Sequence, residues 1–466
     1  MIDVAIAIAI TALAAVNALR WLRVAQREHY LPWSVTRFAL RWRWLAFGLG
    51  VRGRTSKLAW TRRLRVLAAV SAALYVGFVA LWRLVVPWSI GALIEVLLIP
   101  VTIDLALVVT APIERRLATP FVRRATDKLR AVRPTIVAIT GSYGKTSTKV
   151  VVAHLVAGTK SVSASPASFN NRAGLARAIN EGLPAGTNVF VAEMGTYGPG
   201  EIAELCAWCP PDIAVITAIG PVHLERFKHE DNIVTAKSEI FATAKTVVLN
   251  VDDERLAGVA DRIRDRKVVR VSATRSDVDV AVIDGDVFVR GERVGHADKL
   301  PTASSNAAAA IAVALELGIA APDAVARLAT APGAAHRLEA TTAPSGVVVL
   351  DDTFNSNPAG ARLALAALKH AGSPAGRRVL ITPGMIELGA RQRAENESFA
   401  TEAGTVVSVI GIVGKTNADA LALGAAKTEA TVERFRRRED AVAWVRANLG
   451  PGDAVLYEND LPDHYQ

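Results

Sequence analysis

The hydrophobic pattern of the chain changes near residue 133 and divides it into two parts. In the first part, three apolar runs, at about 2–19, 66–86 and 88–111, are long enough to cross the hydrocarbon core of a membrane. In the second part, short runs of Val, Ile and Leu alternate with helix-forming stretches. Unbroken apolar runs of this kind are typical of parallel strands buried on both faces. The pattern therefore predicts an α/β doubly wound fold preceded by α-helical transmembrane segments.

Six runs of the second part have the character of buried strands, and several of them end in residues that can do chemistry. In chain order they are "TIVAIT", "NVFVAEMG", "DIAVITAIG", "TVVLNVDD", "GVVVLDDT" and "RRVLITPG". In open α/β sheets, ligands bind beyond the carboxyl ends of the strands. The residues that follow these runs are therefore the first candidates for a functional site.

The charge is unevenly distributed along the chain. Residues 1–133 contain 20 Lys and Arg against 6 Asp and Glu, which leaves 34 against 38 for the remainder. Because the basic excess belongs to the apolar part, it gives poor support to nucleic-acid binding, and we predict no nucleic-acid partner. The loop 20–65 holds twelve Arg and Lys with Glu28 as its single acidic residue. The positive-inside rule predicts that this loop is cytoplasmic.

The first apolar run is predicted to be an uncleaved anchor. A signal peptide begins with basic residues, whereas here the basic residues follow the apolar run. The basic segment 115–133, after the third run, favours the same orientation as the loop 20–65. We therefore predict a multi-pass protein of the bacterial cytoplasmic membrane, with the lipid bilayer as a partner and the second part in the cytoplasm.

The stretch "TGSYGKTS", residues 140–147, follows the first predicted strand and precedes helix-forming sequence. Gly141 and Gly144 allow backbone N–H groups to approach phosphate oxygens, and Lys145 supplies a cation for the terminal phosphates. Thr146 or Ser147 offers a hydroxyl to Mg²⁺. The loop is shorter than the usual Gly-x-x-x-x-Gly-Lys-Ser/Thr, so it predicts binding of ATP or GTP without identifying the reaction.

Three further polar residues end or follow predicted strands and are weaker candidates. Glu193 ends "VFVAE", His223 lies in "GPVHLE", and Lys237 lies in "TAKSEIF". Taken alone, they are explained as well by a solvated carboxylate, a surface histidine and a helix-surface lysine. Cys206 and Cys209 form a Cys-x-x-Cys pair, but the chain has no other cysteine. We expect ordinary buried thiols here rather than a zinc site.

Seven motifs occur in order along the second part: "TGSYGKTS", "SFNNRAG", "AEMGTYGPGEI", "ITAIGPVHLERF", "AKSEIF", "RLE" and "DDTFNSNP". This ordered set resembles the Mur ligase family. It is most similar to the MurF branch, which adds D-alanyl-D-alanine to the UDP-muramoyl tripeptide. The likeness covers about residues 134–400. The phosphate loop of that family is Gly-x-x-Gly-Lys-Thr, which accounts for the short spacing.

The resemblance implies an ADP-forming ligase that uses ATP to join a carboxylate to an amine through an acyl phosphate. It implies that Lys145 and the loop amides hold the phosphates, while Thr146 and Glu193 coordinate one Mg²⁺. It also implies that His223 and a carbamylated Lys237 coordinate a second Mg²⁺. These assignments make Lys145, Glu193, His223 and Lys237 the candidate catalytic residues.

The resemblance further implies which residues bind the nucleotide and the substrate. The implied nucleotide contacts are Gly141, Ser142, Tyr143, Gly144, Lys145, Thr146, Ser147, Asn306, Arg337, Asp352, Asn355 and Asn357. Asn170 and Asn171 would border the phosphate region of the substrate. The expected partners are a carboxylate precursor and the amine of an amino acid or dipeptide, in the synthesis of peptidoglycan precursors.

The resemblance implies a central ATP-binding domain over 134–331 and a Rossmann-like C-terminal domain over 332–466. The membrane region, 1–133, stands where the MurF branch has a domain that binds the uridine nucleotide. The terminal "VLYENDLPDHYQ" also differs from the Lys-Gly-Ser segment of that branch. Because these departures concern substrate recognition, they leave the acceptor and the amine open. A lipid-linked cell-wall precursor fits the membrane region better than a free nucleotide sugar.

Two other functions stay open at the level of the sequence. One is amidation of a lipid-linked muropeptide with a glutaminase partner, although such proteins usually carry a four-cysteine zinc ribbon. The other is a non-catalytic, ATP-binding membrane protein that scaffolds other cell-wall enzymes. The combination of Lys145, Glu193, His223 and Lys237 favours catalysis, since a scaffold has no chemical need for two metal sites.

Overall fold

A computed structural model describes most of the chain as two compact units. The described residues are 2–40, 58–167, 169–222, 224–354 and 356–461. The first unit consists of residues 1–119 with two short pieces, 414–416 and 461–466. The second consists of residues 120–413 and 417–460.

The first unit is helical in its described residues. Its elements are α1 (Ile2–Arg27), α2 (Ser34–Phe38), α3 (Arg62–Trp82) and the first part of α4 (Trp88–Val132). By length and composition, α1, α3 and α4 could each cross a membrane. Each predicted apolar run lies largely in one of these helices, but α1 and α4 continue well beyond their runs. The reason is that the arginines following the apolar residues are themselves good helix formers.

Carboxylates in or next to the apolar runs of this unit have hydrogen-bond partners, two of them on another helix. Asp3, at the start of α1, accepts a hydrogen bond from the backbone N–H of Ser89 at 3.0 Å. Asp104, within the third apolar run, accepts one from the backbone N–H of Thr36 at 2.7 Å. Glu95 accepts one from the hydroxyl of a threonine two turns further along α4. The two carboxylates of the third apolar run therefore have partners within the protein, as burial requires.

The second unit begins with a nine-stranded sheet. Its strands are β1 (Thr135–Thr140), β2 (Val162–Ala164), β3 (Val189–Glu193), β4 (Ile213–Ile216), β5 (Thr246–Asn250), β6 (Lys267–Ser272), β7 (Val280–Ile283), β8 (Asp286–Val289) and β9 (Glu292–His296). Their spatial order is β2-β3-β1-β4-β5-β6-β7-β8-β9. The strands from β2 to β7 in this order pair in parallel, and β7, β8 and β9 form an antiparallel edge.

Helices cover both faces of this sheet. They are α5 (Lys145–Val156), α6 (Arg172–Gly182), α7 (Glu201–Trp208), α8 (Leu224–Phe227), α9 (Glu230–Ser238), α10 (Glu254–Arg262), α11 (Ser304–Glu316) and α12 (Ala321–Leu328). Two apolar clusters result. On β1, Ile136 and Ala138 enter one cluster, whereas Val137 and Ile139 enter the other. This alternation is the period of two that a strand imposes on its side chains.

The last part of α4 belongs to the second unit and contributes to its core. Val122, Ala125 and Leu129 are buried in the same apolar cluster as one face of the sheet. Their spacing of three and four residues places them on one side of the helix. Lys128 donates to the backbone oxygen of Asn180 at 2.9 Å, which fixes the helix to the end of α6. The core of this unit thus includes residues that precede the predicted start of its ATP-binding domain.

A six-stranded sheet follows in the same unit. Its strands are β10 (Glu339–Thr342), β11 (Val348–Asp352), β12 (Arg378–Thr382), β13 (Val409–Val413), β14 (Thr431–Phe435) and β15 (Ala454–Glu458). The order is β10-β11-β15-β12-β13-β14, and β10 alone is antiparallel to its neighbour. Its helices are α13 (Pro358–Lys369), α14 (Gln392–Ala403), α15 (Ala418–Ala425) and α16 (Arg438–Asn448). The six runs predicted as strands correspond to β1, β3, β4, β5, β11 and β12, which confirms the α/β prediction.

Candidate active site

The glycine-rich loop connects the central strand β1 to the start of α5. Gly144 has φ of 78° and Gly141 has φ of 153°, values that favour glycine. A Cβ atom on Gly144 would also collide with the side-chain amide of Asn306. The loop therefore needs glycine for its conformation and for its close approach to α11. Its backbone N–H groups lie at a helix N-terminus, the place where proteins bind phosphate.

Lys145, the first residue of α5, folds back over this loop. Its ammonium donates to the backbone oxygen of Gly141 at 2.7 Å and to that of Ser142 at 3.4 Å. Burial lowers the pKa of Lys145 to about 8, although the negative charge of Glu193 opposes this shift. The lysine is thus held at the position where the loop would receive the terminal phosphates.

Ser142 and Tyr143 fasten the loop to the segment that follows β4. The Ser142 hydroxyl donates to the backbone oxygen of Gly220 at 3.2 Å, and the Gly220 N–H donates to that hydroxyl at 3.0 Å. The backbone oxygen of Tyr143 accepts a hydrogen bond from the Thr217 hydroxyl. Burial raises the pKa of the Tyr143 phenol, so this ring is neutral. Ser147 lies in the first turn of α5.

Glu193 ends β3, the strand next to β1, and is surrounded by donors. Its Oε2 accepts hydrogen bonds from the Thr146 hydroxyl at 2.9 Å and from the Lys149 ammonium at 3.0 Å. Its Oε1 accepts one from the Asn170 side chain at 3.0 Å. Burial alone would raise the pKa of Glu193, but Lys149, Lys145 and the Asn170 hydrogen bond together hold it below its usual range. The side chain is therefore a carboxylate.

Thr146 and Glu193 fit a Mg²⁺ ion by the chemistry of their donors. A hydroxyl and a carboxylate oxygen that lie 2.9 Å apart are the hard oxygen ligands that Mg²⁺ prefers. In the part of the chain that the structure describes, no three His, Cys, Asp or Glu side chains form a metal cluster. His223, the predicted ligand of a second Mg²⁺, lies outside the described residues. An ion held by Thr146 and Glu193 would therefore depend on further ligands, such as phosphate oxygens.

Lys237 lies at the end of α9 and is buried. Its pKa is well below the usual value because burial disfavours the ammonium, and the positive charge of Lys145 adds to this effect. Burial and the neighbouring charge thus both favour the unprotonated form of this amine. Sequence reasoning gave a surface lysine as its ordinary interpretation, and the burial of Lys237 removes that interpretation.

Arg337 and Asp352 are the charged residues at the start of the six-stranded sheet that interact with the site. Asp352, at the end of β11, accepts a hydrogen bond from the backbone N–H of Leu338 at 3.1 Å. Burial raises its pKa to about 6, although the charge of Arg337 opposes the shift. Burial lowers the pKa of Arg337, while the charges of Asp352 and Glu193 act in the opposite direction. Its guanidinium lies 4.3 Å from the ring centroid of Phe354.

The predicted asparagines have different positions. Asn306 lies against Gly144 in the phosphate loop, whereas Asn170 binds Glu193. Asn171 and Asn357 cap the starts of α6 and α13, where their side chains accept hydrogen bonds from the backbone at 2.9 Å and 2.8 Å respectively. Asn355 lies outside the described residues. In this structure, capping is thus the visible role of two of the predicted contacts.

Sequence reasoning missed two ionisable residues near the carboxyl ends of these strands. Lys149 is buried against Glu193, and its position four residues after Lys145 on α5 was the available signal. Glu458, at the end of β15, accepts hydrogen bonds from the hydroxyls of Ser356 and Thr382. Burial raises the pKa of Glu458 to about 8.

The two cysteines of the chain are ordinary buried thiols, as expected. Cys206 and Cys209 are free and buried in the core of the second unit. Burial raises the pKa of Cys206 to about 12 and also raises that of Cys209. Neither thiol has the character of a zinc ligand or a redox nucleophile.

Comparison with known proteins agrees with the motifs and the fold. Residues 139–314 match the Mur ligase middle domain, and residues 336–457 match the glutamate ligase domain of Mur ligases. The UDP-N-acetylmuramoyl-tripeptide--D-alanyl-D-alanine ligase of Mycobacterium tuberculosis is 33% identical over 356 residues, which cover 69% of each chain. The Bacillus subtilis enzyme of the same name is 30% identical over 340 residues, covering 69% of this chain and 72% of that enzyme.

Solved structures give the same result. The MurF ligase of Thermotoga maritima in complex with ADP superimposes with a TM-score of 0.63 at 25% identity, over 74% of this chain and 80% of that one. MurF of Acinetobacter baumannii shares the fold, with a TM-score of 0.62 over 73% and 76% of the two chains. Mur ligases use ATP and Mg²⁺, which agrees with the phosphate loop and with the donors of Thr146 and Glu193. The protein therefore belongs to the Mur ligase family and is an ATP-dependent ligase of the MurF type.

Proposed function

We propose that the protein is a membrane-anchored ligase that joins a carboxylate to an amine through an acyl phosphate, during the synthesis of peptidoglycan precursors. The observation that carries this proposal is the grouping of Lys145, Thr146 and Glu193 where the parallel strands β1 and β3 end, with the buried Lys237 near enough for the charge of Lys145 to act on it. A protein that only binds ATP needs the loop but has no chemical use for a buried amine at Lys237. The buried lysine therefore favours catalysis over a scaffolding role.

The reaction requires two group transfers. A carboxylate is a poor electrophile, so one of its oxygens first attacks the γ-phosphorus of ATP, and ADP leaves. The amine nitrogen then attacks the acyl carbon, inorganic phosphate leaves, and the amine loses one proton. The loop amides and Lys145 would hold the phosphates while the anionic carboxylate approaches. Bound Mg²⁺, held by Thr146 and Glu193, would supply additional positive charge.

Lys237 is suited to carbamylation. Its nitrogen, when unprotonated, can add to CO₂ and release one proton, which gives a carbamate with the ligand character of a carboxylate. An ammonium beside Lys145 would repel a metal ion, whereas a carbamate would attract one. The burial of Lys237 and the nearby charge of Lys145 both support this modification, because both favour the unprotonated amine.

The anchor is the part of the proposal that separates this protein from its named relatives. Among the residues that the structure describes, three helices are long and apolar enough to cross a membrane. The basic residues of the first part favour a cytoplasmic location of the ATP-binding part. The relatives are named for a UDP-linked tripeptide and D-alanyl-D-alanine. We propose that the acceptor here is a lipid-linked carboxylate precursor, with an amino acid or dipeptide as the amine.

One assay tests this function. The full-length protein in detergent receives ATP and Mg²⁺, and ADP release is measured as lipid-linked muropeptides, UDP-linked muropeptides and candidate amines are added. We expect release that depends on both a carboxylate and an amine and that is fastest with a lipid-linked acceptor. ATP binding without substrate-dependent release would support a scaffold instead. Release that depends on the UDP-linked acceptor alone would contradict the proposed role of the anchor.

A further inference from the structure

Lys149 is a second buried cation at the Glu193 end of the site. It lies one helical turn after Lys145 on α5, and its side chain is 3% exposed. Its ammonium donates to Glu193 Oε2 at 3.0 Å and to the backbone oxygen of Ala167. A buried ammonium needs such partners, since leaving it unpaired is costly. Lys149 is therefore fixed in place by the carboxylate and the loop that precedes α6.

The oxygen that Lys149 contacts is also the one that faces Thr146. The Thr146 hydroxyl donates to Glu193 Oε2 at 2.9 Å, while Asn170 donates to Oε1 at 3.0 Å. A metal ion held by Thr146 and Glu193 would thus share its carboxylate ligand with an ammonium group. Two positive charges on one buried carboxylate repel each other, and the repulsion is stronger in the protein than in water.

The polyphosphate of a bound nucleotide would weaken the repulsion between Lys149 and the metal ion. The phosphates of ATP or ADP bring negative charge and additional oxygen ligands to the loop between β1 and α5. They would offset the repulsion between Lys149 and the metal ion. Without them, Lys149 is the counter-ion of the Glu193 carboxylate, which it contacts at 3.0 Å while Asn170 binds the other carboxylate oxygen.

We propose that Lys149 is a positioning residue that makes metal binding at Glu193 depend on the nucleotide. It holds the carboxylate in place before the metal arrives, and it keeps the affinity for a free divalent cation low until phosphate oxygens are present. The proposal rests on the proposed function, because it assumes the metal site of Thr146 and Glu193. It adds an order of binding in which the metal enters with the nucleotide.

Direct metal binding tests this role without an activity assay. Mn²⁺ is titrated into the full-length protein in detergent, and free Mn²⁺ is read by electron paramagnetic resonance, with and without ADP. Lys149→Met removes the charge while keeping most of the chain length. We expect this variant to bind Mn²⁺ without ADP at least about tenfold more tightly than the wild type. With ADP present, the difference should become smaller.

Two further variants keep the test decisive. Lys149→Arg retains the charge, so we expect it to bind Mn²⁺ weakly without ADP, as the wild type does. Lys160→Met removes a lysine just beyond α5 and should change nothing. Unfolding temperatures identify folded variants, and Lys149→Gln replaces Lys149→Met if the methionine variant does not fold.

The outcomes separate this inference from the proposed function. Equal or weaker Mn²⁺ binding by the uncharged variants, or tight nucleotide-free binding by Lys149→Arg, would overturn the role of the Lys149 charge. A wild-type protein that binds no Mn²⁺ even with ADP would instead overturn the metal site itself. Tight nucleotide-free binding confined to the uncharged variants supports the proposed order of binding.

Discussion

Glu193 and Glu458 occupy equivalent places in two sheets but have opposite electrostatic states. Each ends a parallel strand that has a neighbour on both sides, and each is buried. Glu193 has the ammonium of Lys149 at 3.0 Å, and its pKa lies below the usual range. Glu458 has hydroxyl donors from Ser356 and Thr382, and burial raises its pKa to about 8. Equal burial therefore produces an anion in one sheet and a neutral acid in the other.

The difference lies in the neighbouring charges. Two lysines of α5 act on Glu193, whereas the charge of Asp352 makes ionisation of Glu458 still less favourable. The carboxyl ends of the strands around Glu193 can thus attract a metal ion and phosphate. The acid of the six-stranded sheet instead connects strand ends through its hydrogen bonds. Position at a strand end suggests a site, but the surrounding charges decide what the site can bind.

Removing Lys145, one of the two lysines that act on Glu193, is expected to have the largest effect on activity. Lys145→Ala should lower the rate of ADP release by at least about 10²–10³-fold, because a cation aimed at the transferred phosphate is lost. The rate is measured with saturating Mg²⁺ and acceptor. Lys369→Ala, at the exposed end of α13, is the control and should keep its rate. A Lys145→Ala variant with normal turnover would contradict the role of the loop.

Lys237→Ala should also lower turnover strongly, and the loss should be chemically reversible. If a carbamate is the missing group, added acetate or another short carboxylic acid should restore part of the ADP release. The measurement is the rate of ADP release as the acid concentration rises. Lys145→Ala provides the comparison, since acetate cannot replace a cation. Absence of rescue in Lys237→Ala would count against the carbamate.

The two glutamates should have opposite effects on the pH dependence of stability. Burial raises the folded-state pKa of Glu458 to about 8, so the unfolded chain ionises this carboxyl at a lower pH than the folded protein does. The free energy of unfolding of the wild type therefore falls as pH rises from the ordinary carboxyl range toward 8. Glu458→Gln should therefore gain stability relative to the wild type over this range, by an amount of the order of a few kcal/mol. Unfolding temperatures at pH 5 and pH 8, with EDTA present, check this expectation.

Glu193→Gln should show the reverse. The pKa of Glu193 is lowered, so its contribution is present above the ordinary carboxyl pKa and is lost as pH falls through the folded-state value. The stability lost by Glu193→Gln should therefore be larger at pH 7 than at pH 4. If the stability changes caused by Glu193→Gln and Glu458→Gln depended on pH in the same way, the electrostatic difference between the two glutamates would be wrong.

A backbone change should give the smallest effect. Gly144→Ala adds strain at φ of 78° and a contact with the Asn306 amide, so it should weaken ADP binding and cost about 1–2 kcal/mol of stability. Gly186 is a matched control, with φ of 79° and no neighbouring atom within 4 Å of an added Cβ. Gly186→Ala should lower the unfolding temperature slightly and leave ADP binding unchanged. Equal losses of ADP binding in both variants would show that strain, not the loop contact, is responsible.

The sequence was sufficient for the elements that depend on local pattern. The strands around Glu193 and the loop before Lys145 follow from apolar runs and glycine spacing, and both are found where they were predicted. The position of Lys149 one helical turn after Lys145 was a signal, but this spacing does not show that its ammonium contacts Glu193. The hydroxyl partners of Glu458 could not be predicted, because no local pattern shows which distant side chains will pack against it. For the same reason the burial of Lys237 was not foreseen. It depends on the packing of α9, which the spacing of residues does not reveal.

The packing of the end of α4 has a practical consequence for making a shorter form of the enzyme. A truncated chain that starts at residue 134 would begin just before β1, but it would remove Val122, Ala125 and Leu129 from the core. Each lost apolar side chain would uncover a hydrophobic surface worth roughly 1–3 kcal/mol. The useful cut therefore lies inside the helix, near Pro120, where the compact second unit begins. For expression, crystallisation and inhibitor screening, the end of α4 should therefore be kept with the second unit.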